Sequence, residues 1–111
     1  QGPYPKRERK PNSLPYAWAS EAAMVGSIDE AASYMAVVLR KARGREEWSK
    51  AVKGIQSAMK ARAPLGENLS RKAKAAVLEK YSDEIGDLRT LTREYTKRWV
   101  LALRKAIKLS R

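Results

Sequence analysis

Along the last quarter of the chain, apolar residues recur with the period of a helix. In 87–111 (DLRTLTREYTKRWVLALRKAIKLSR), Leu88, Leu91, Tyr95, Trp99, Ala102, Leu103, Ala106 and Leu109 fall on one side of a helix turning about 100° per residue. Arg93, Lys97, Arg104, Lys108 and Arg111 fall together on the other side, within roughly 60° of one another, with Arg89 at the start of the same helix. At a rise of ~1.5 Å per residue the basic row runs for roughly 27 Å. Val100, Leu101 and Ile107 lie off the core-facing stripe, which predicts a second packing partner and points to self-assembly.

The rest of the chain also reads as short helices separated by breaks. An apolar-rich segment over 16–25 stops at Gly26, and Ser27-Ile28-Asp29-Glu30 has the form of a capping box opening the next helix. That helix runs to about Arg43 with Ile28, Ala31, Ala32, Met35 and Leu39 inward, and Gly44 ends it. In 45–63, Trp48, Val52, Ile55 and Met59 form a core stripe, Lys50, Lys53 and Lys60 lie opposite, and Gly54 permits a close approach. Asn68 or Ser70 caps a helix to about Tyr81, and Asp87 caps the last one after a break over 82–86. There is no strand pattern, internal repeat or heptad register. The expectation is an all-α protein: a small bundle of four to five helices over 16–111, preceded by an extended basic arm over 1–15.

The arm rests on composition. Residues 1–15 hold Pro3, Pro5, Pro11 and Pro15, with Lys6, Arg7, Arg9 and Lys10 against a single Glu8. Proline at that density opposes helix and favours extended, polyproline-like chain. Such a segment is either a solvated tail or an arm that docks; Tyr4, Tyr16 and the stiffening prolines favour docking. No apolar run follows residues 6–10, so the start is not read as a signal peptide, and no stretch is long and apolar enough to span a bilayer.

Length and charge narrow the rest. The 111 residues make one domain with a modest core, in which abundant alanine predicts thin, closely packed helices. The formal charge is +12, from 24 Lys and Arg against 12 Asp and Glu, and it predicts attraction to a polyanion. Cysteine and histidine are absent, which removes disulfides, thiol nucleophiles, the usual zinc ligands and the commonest general base. The acidic groups Asp29/Glu30, Glu46/Glu47 and Asp83/Glu84/Asp87 all stand at predicted helix starts, where carboxylates stabilise the dipole. No glycine-rich phosphate loop exists. The expectation is therefore no enzyme, no metal, no cofactor and no small-molecule substrate.

What remains is binding. Trp18, Trp48 and Trp99 read as core anchors rather than stacking platforms. The last helix carries eight cations against Asp87 and Glu94, too few acids for a merely solvated face. No zinc finger, helix-turn-helix or aromatic RNA-binding motif accompanies them, so the expected contacts are to phosphate backbone without sequence preference. The candidate contacts are Lys6, Arg7, Arg9 and Lys10 of the arm with Arg89, Arg93, Lys97, Arg104, Lys108 and Arg111 of the last helix.

The proline-rich basic arm over 3–15, the alanine-rich helices, and Tyr81, Ile85-Gly86, Arg89, Lys97 and Ala102-Leu103 leading into a C-terminal helix together resemble the major coat proteins of rod-shaped and filamentous archaeal viruses. The resemblance implies copies of a small helical bundle wrapping linear double-stranded DNA, held in A form, inside a virion, as a homo-oligomer or with a related chain. Two other readings stay open. One is a secreted, basic, membrane-active or gamete-recognition helical protein. The other is an RNA-associated subunit of ribosomal type; a nucleoid-associated location also fits a DNA binder.

Overall fold

The computed structural model describes residues 13–64 and 87–111, together with Lys72, Ala75, Ala76, Glu79 and Lys80, which are helical positions. Four helices have defined bounds: α1 Ser13–Met24, α2 Ile28–Arg40, α3 Arg45–Ala61 and α4 Leu88–Leu109. There is no strand among the described residues. Residues 1–12 of the expected arm over 1–15, the expected helix from Asn68 or Ser70 to Tyr81 as a whole, and the expected break over 82–86 lie outside them, whereas residues 13–15, expected in the extended arm, are helical. Helix α1 opens at Ser13, three residues before the expected start at Tyr16. Pro15 therefore sits in its first turn, where a missing backbone N–H costs nothing because those amides have no partner within the helix.

Helices α1, α2 and α4 pack on one another most extensively, and α3 lies more lightly against all three. Alanine sets their spacing: Ala19, Ala22, Ala23, Ala31, Ala32, Ala36, Ala102 and Ala106 are all buried at the contacts. A methyl group buries little area but lets helix axes approach closely, as the alanine content predicted. The bulk of the interior comes from Met35, Leu39, Ile55, Met59, Leu91 and Tyr95, all fully buried.

The α1–α2 corner is a tight reversal. Ser27 N donates to Ala22 O at 2.8 Å and Gly26 N to Ala23 O at 3.1 Å, a Schellman closure that requires the positive φ of +85° at Gly26. Closing α1 in this way changes the role of Ser27. It stands at the N-cap of α2, but its side chain makes no capping bond. The expected capping box does not form: the Glu30 carboxylate instead accepts from the Tyr34 hydroxyl at 3.4 Å. Ala31, Ala32, Met35 and Leu39 face inward as expected, with Ile28 half-buried, and Ala36 and Val38 join them.

Helix α2 ends at Arg40 rather than Arg43, because Lys41 N and Ala42 N fold back onto Val38 O and Leu39 O. Gly44 consequently opens α3 instead of closing α2. Its φ of +89° and ψ of 167° place it in a region open essentially only to glycine. Glu47 reaches back from the first turn of α3 and accepts from Arg43 N at 2.7 Å, so the early acidic residue stabilises the helix start. In α3, Ile55 and Met59 are buried while Trp48 and Val52 are half-buried; the helix stops at Ala61, short of the expected Ala63. At Gly54 the close approach is made by a side chain and not by the backbone of a crossing helix. A Cβ there would stand 3.1 Å from the Tyr16 hydroxyl, so the missing side chain makes room for a residue of α1.

Tyr95 joins three helices through one oxygen. Its hydroxyl is 2.8 Å from Met59 O and 3.0 Å from Ser20 Oγ. Because a carbonyl only accepts, Tyr95 donates to Met59 and Ser20 donates to Tyr95. The group is therefore buried with its hydrogen bonding satisfied.

Candidate nucleic-acid interface

The inner face of α4 fixes what its outer face presents. Leu91, Tyr95, Trp99, Ala102, Leu103 and Ala106 are buried, and Leu88 is half-buried. This leaves Arg89, Arg93, Lys97, Arg104, Lys108 and Arg111 all exposed. The row predicted from periodicity is thus brought to the surface on one helix as far as Lys108, while Arg111 lies past the helix end at Leu109. The stripe is shorter than predicted at its far end, because Leu109 is 47% exposed. The three off-stripe residues divide: Val100 and Ile107 pack partly against the core, whereas Leu101 stays 48% exposed within the basic surface.

The helix begins cleanly. Asp87 Oδ1 accepts from Thr90 N at 2.8 Å and Oδ2 from the Thr90 hydroxyl at 3.1 Å, the N-cap predicted for it. Those bonds, with the Arg89 amide and charge nearby, hold the Asp87 carboxyl below the usual carboxylate range.

Charge is unevenly neutralised along the row. Glu94 Oε2 lies 3.5 Å from Lys97 Nζ, with both groups open to solvent, where such a pair contributes little. Arg93, Arg104, Lys108 and Arg111 have no carboxylate partner among the described residues. The two remaining cations of α4 point elsewhere. Arg98 donates to Met24 O at 2.9 Å, placing a cation against the C-terminal end of α1 and closing over Gly26. Lys105 pairs with Asp29 in the first turn of α2. Sequence reasoning missed both roles. Each joins residues more than seventy positions apart, and no local pattern marks such a contact.

Between the α1–α2 corner and the C-terminal half of α4 lies an open groove of about 880 Å³. Asp29, Glu30, Leu101, Arg104, Lys105 and Lys108 line it. Other exposed cations lie on α3, at Lys50, Lys53 and Lys60, and at the α2–α3 corner, at Lys41, Arg43 and Arg45. Arg40 turns to the end of α4 and donates to Leu109 O at 3.2 Å. Lys6, Arg7, Arg9 and Lys10, the other four of the ten predicted contacts, lie outside the described residues.

The tryptophans do not share one role. Trp99 is buried, Trp48 is half-buried, and Trp18 is 45% exposed, its ring centroid 5.5 Å from that of Tyr34. The reading of Trp18 as a core anchor is therefore corrected. It sits on the outer side of α1, which turns Ala19, Ala22 and Ala23 to the interior instead.

The chain matches no protein-family model, no curated protein and no solved structure.

Proposed function

We propose that this chain is an architectural protein that binds double-stranded DNA through its phosphates, without sequence preference, and serves as a virion coat protein whose copies assemble on and package the duplex. The single observation that carries this reading is the outward row on α4. Arg93, Arg104 and Lys108 stand exposed on one helix, with Arg111 just past its end, and none of the four has a carboxylate partner among the described residues. A row of that kind attracts a linear polyanion and gains free energy by releasing its counterions. The basic arm with Lys6, Arg7, Arg9 and Lys10 adds contacts, and exposed Leu101, Leu109 and Trp18 supply apolar surface for neighbouring copies, of this chain or a related one. Closely spaced helices along a duplex also exclude water and favour A-like geometry. No step here calls for a cofactor, a metal or a small-molecule substrate.

A second reading has one observation behind it. Leu101 and Leu109 are exposed beside cations of the same helix, an amphipathic surface that suits anionic lipid. Negative-stain microscopy of the purified protein with and without linear duplex DNA separates the two. Ordered filaments that require DNA are expected, with log K falling against log salt at a slope of about −5 to −7 for six to eight phosphates neutralised per subunit. Leakage of anionic liposomes under conditions where DNA is ignored would favour the membrane reading, and preference for structured RNA over duplex would favour an RNA-associated role.

A further inference from the structure

Resting on that reading, we infer that the sugar–phosphate strand of duplex DNA seats in the groove between the α1–α2 corner and the C-terminal half of α4, and that Asp29 weakens this seat by holding Lys105.

The cation row is not uniform. Its N-terminal half, Arg93 and Lys97, does not line the groove. Arg104 and Lys108 of the row do line it, and Lys105, from outside the row, joins them, so that three cations within five residues reach one groove. Arg104 and Lys108 stand one helical turn apart, ~6 Å along the axis, and Lys105 projects about 100° around the helix from Arg104. A strand between them has cations on both flanks. Leu101 lines the same groove, half-exposed, and offers an apolar surface to the carbon face of the sugars. With three cations against Asp29 and Glu30 the groove is net positive by one charge, and an open groove receives a strand, whereas a bilayer surface engages a convex ridge.

The groove also contains its own competitor. The Asp29 side chain is 83% exposed and its carboxylate is paired with Lys105, while Glu30 is engaged with Tyr34. An incoming phosphate must displace Asp29 from Lys105 before using that cation. Asp29 thus occupies the seat in the free protein and lowers its affinity for DNA.

Fluorescence anisotropy of the full chain with mixed-sequence duplex DNA, across a salt series, tests this directly. Asp29→Asn is compared with two charge-matched doubles, Arg104→Gln/Lys108→Gln and Arg93→Gln/Lys97→Gln. The first double should lower the magnitude of the salt slope by about 2 and the second by less than about 1. Asp29→Asn should tighten binding severalfold, a gain that unfolding cannot produce, and circular dichroism verifies that the doubles remain folded. Equal losses in the two doubles, or an Asp29→Asn variant that binds no better than wild type, overturn the inference and leave DNA binding standing. Failure of the wild-type chain to bind duplex DNA at low salt overturns the proposed function itself, before any variant is compared. If Asp29→Asn tightens binding to phosphatidylglycerol vesicles and not to DNA, the occupant is a lipid surface and the inference fails.

Discussion

The Tyr95 hydroxyl donates to Met59 O across 2.8 Å, holding the middle of α4 against the C-terminal turn of α3. Since Ser20 of α1 donates to the same oxygen, one phenol ties the basic helix to α1 as well as to α3. Tyr95→Phe removes that hub and leaves the buried Ser20 hydroxyl without its partner. The expected loss is about 1–2 kcal/mol, read as a lower denaturation midpoint, with Ser20→Ala costing less. An unchanged midpoint would show that the hub contributes nothing net.

The same phenol makes the fold sensitive to alkali. Burial pushes the Tyr95 hydroxyl up from its ordinary value, and burial also raises Tyr16. An unfolded tyrosine loses its proton near its ordinary value of ~10, while the folded group holds it to higher pH. The stabilising contribution is therefore fully present below that ordinary value and is lost as pH rises through the folded one. Midpoints measured from pH 8 upward should fall beyond about pH 10. Tyr95→Phe should flatten the fall and leave the part due to Tyr16.

Asp87 gives the opposite dependence at the acid end. Its carboxyl is lowered chiefly by the Thr90 amide, so it stabilises the fold above the ordinary carboxylate value and ceases to do so as pH falls through the folded one. Melting temperature measured between neutral and acid pH should show Asp87→Asn losing less than wild type on acidification. Asp87→Ala should melt lower at neutral pH, since the cap itself is gone.

Two glycines should respond differently to alanine. Gly44 has open space around it, yet its φ of +89° makes Gly44→Ala costly, about 1–3 kcal/mol, through backbone strain alone. Gly54 lies in the middle of α3 and meets only the far end of half-buried Tyr16. Gly54→Ala sets a helix-propensity gain of up to about 1 kcal/mol against moving the Tyr16 hydroxyl by a few tenths of an ångström, so its midpoint should lie above that of Gly44→Ala. Gly54→Leu should destabilise by displacing the ring. Equilibrium unfolding of the three variants checks the order.

Removing Arg98 should resemble a binding defect without being one. Its guanidinium serves Met24 O, so Arg98→Met should lower stability by about 1 kcal/mol. DNA affinity, measured well below the melting temperature, should stay near wild type. A large affinity loss in a fully folded Arg98→Met protein would put Arg98 in the interface.

The faces of the helices were legible in the sequence because a 3.6-residue period separates Leu91, Tyr95 and Trp99 from Arg93, Lys97 and Arg104 without reference to anything else. Two punctuation marks were equally local: Gly26 closing α1 and Asp87 capping α4. The end of α2 was not, since Lys41, Ala42 and Arg43 suit a helix as well as a turn and the fold-back at Lys41 and Ala42 decides it. Ser27 carries a cap signature that the reversal at Gly26 leaves unused. Trp18 is apolar enough for a core, but alanines fill the inner side of α1, so the indole stays outside. The basic row was readable residue by residue; the groove beside it was not. That groove exists only because Asp29 and Lys105, 76 positions apart, are brought together by packing.

The two corners between helices differ in what they tolerate. At Gly26 the chain reverses through two backbone bonds and lies under the Arg98 side chain, so one added residue would break both bonds and unseat the guanidinium. At Gly44 nothing stands within 4 Å of the missing side chain, and residues 41–44 lie outside any helix. A reporter peptide spliced into the second corner should leave the protomer intact, which makes it the place from which the protein could be labelled without disturbing its core.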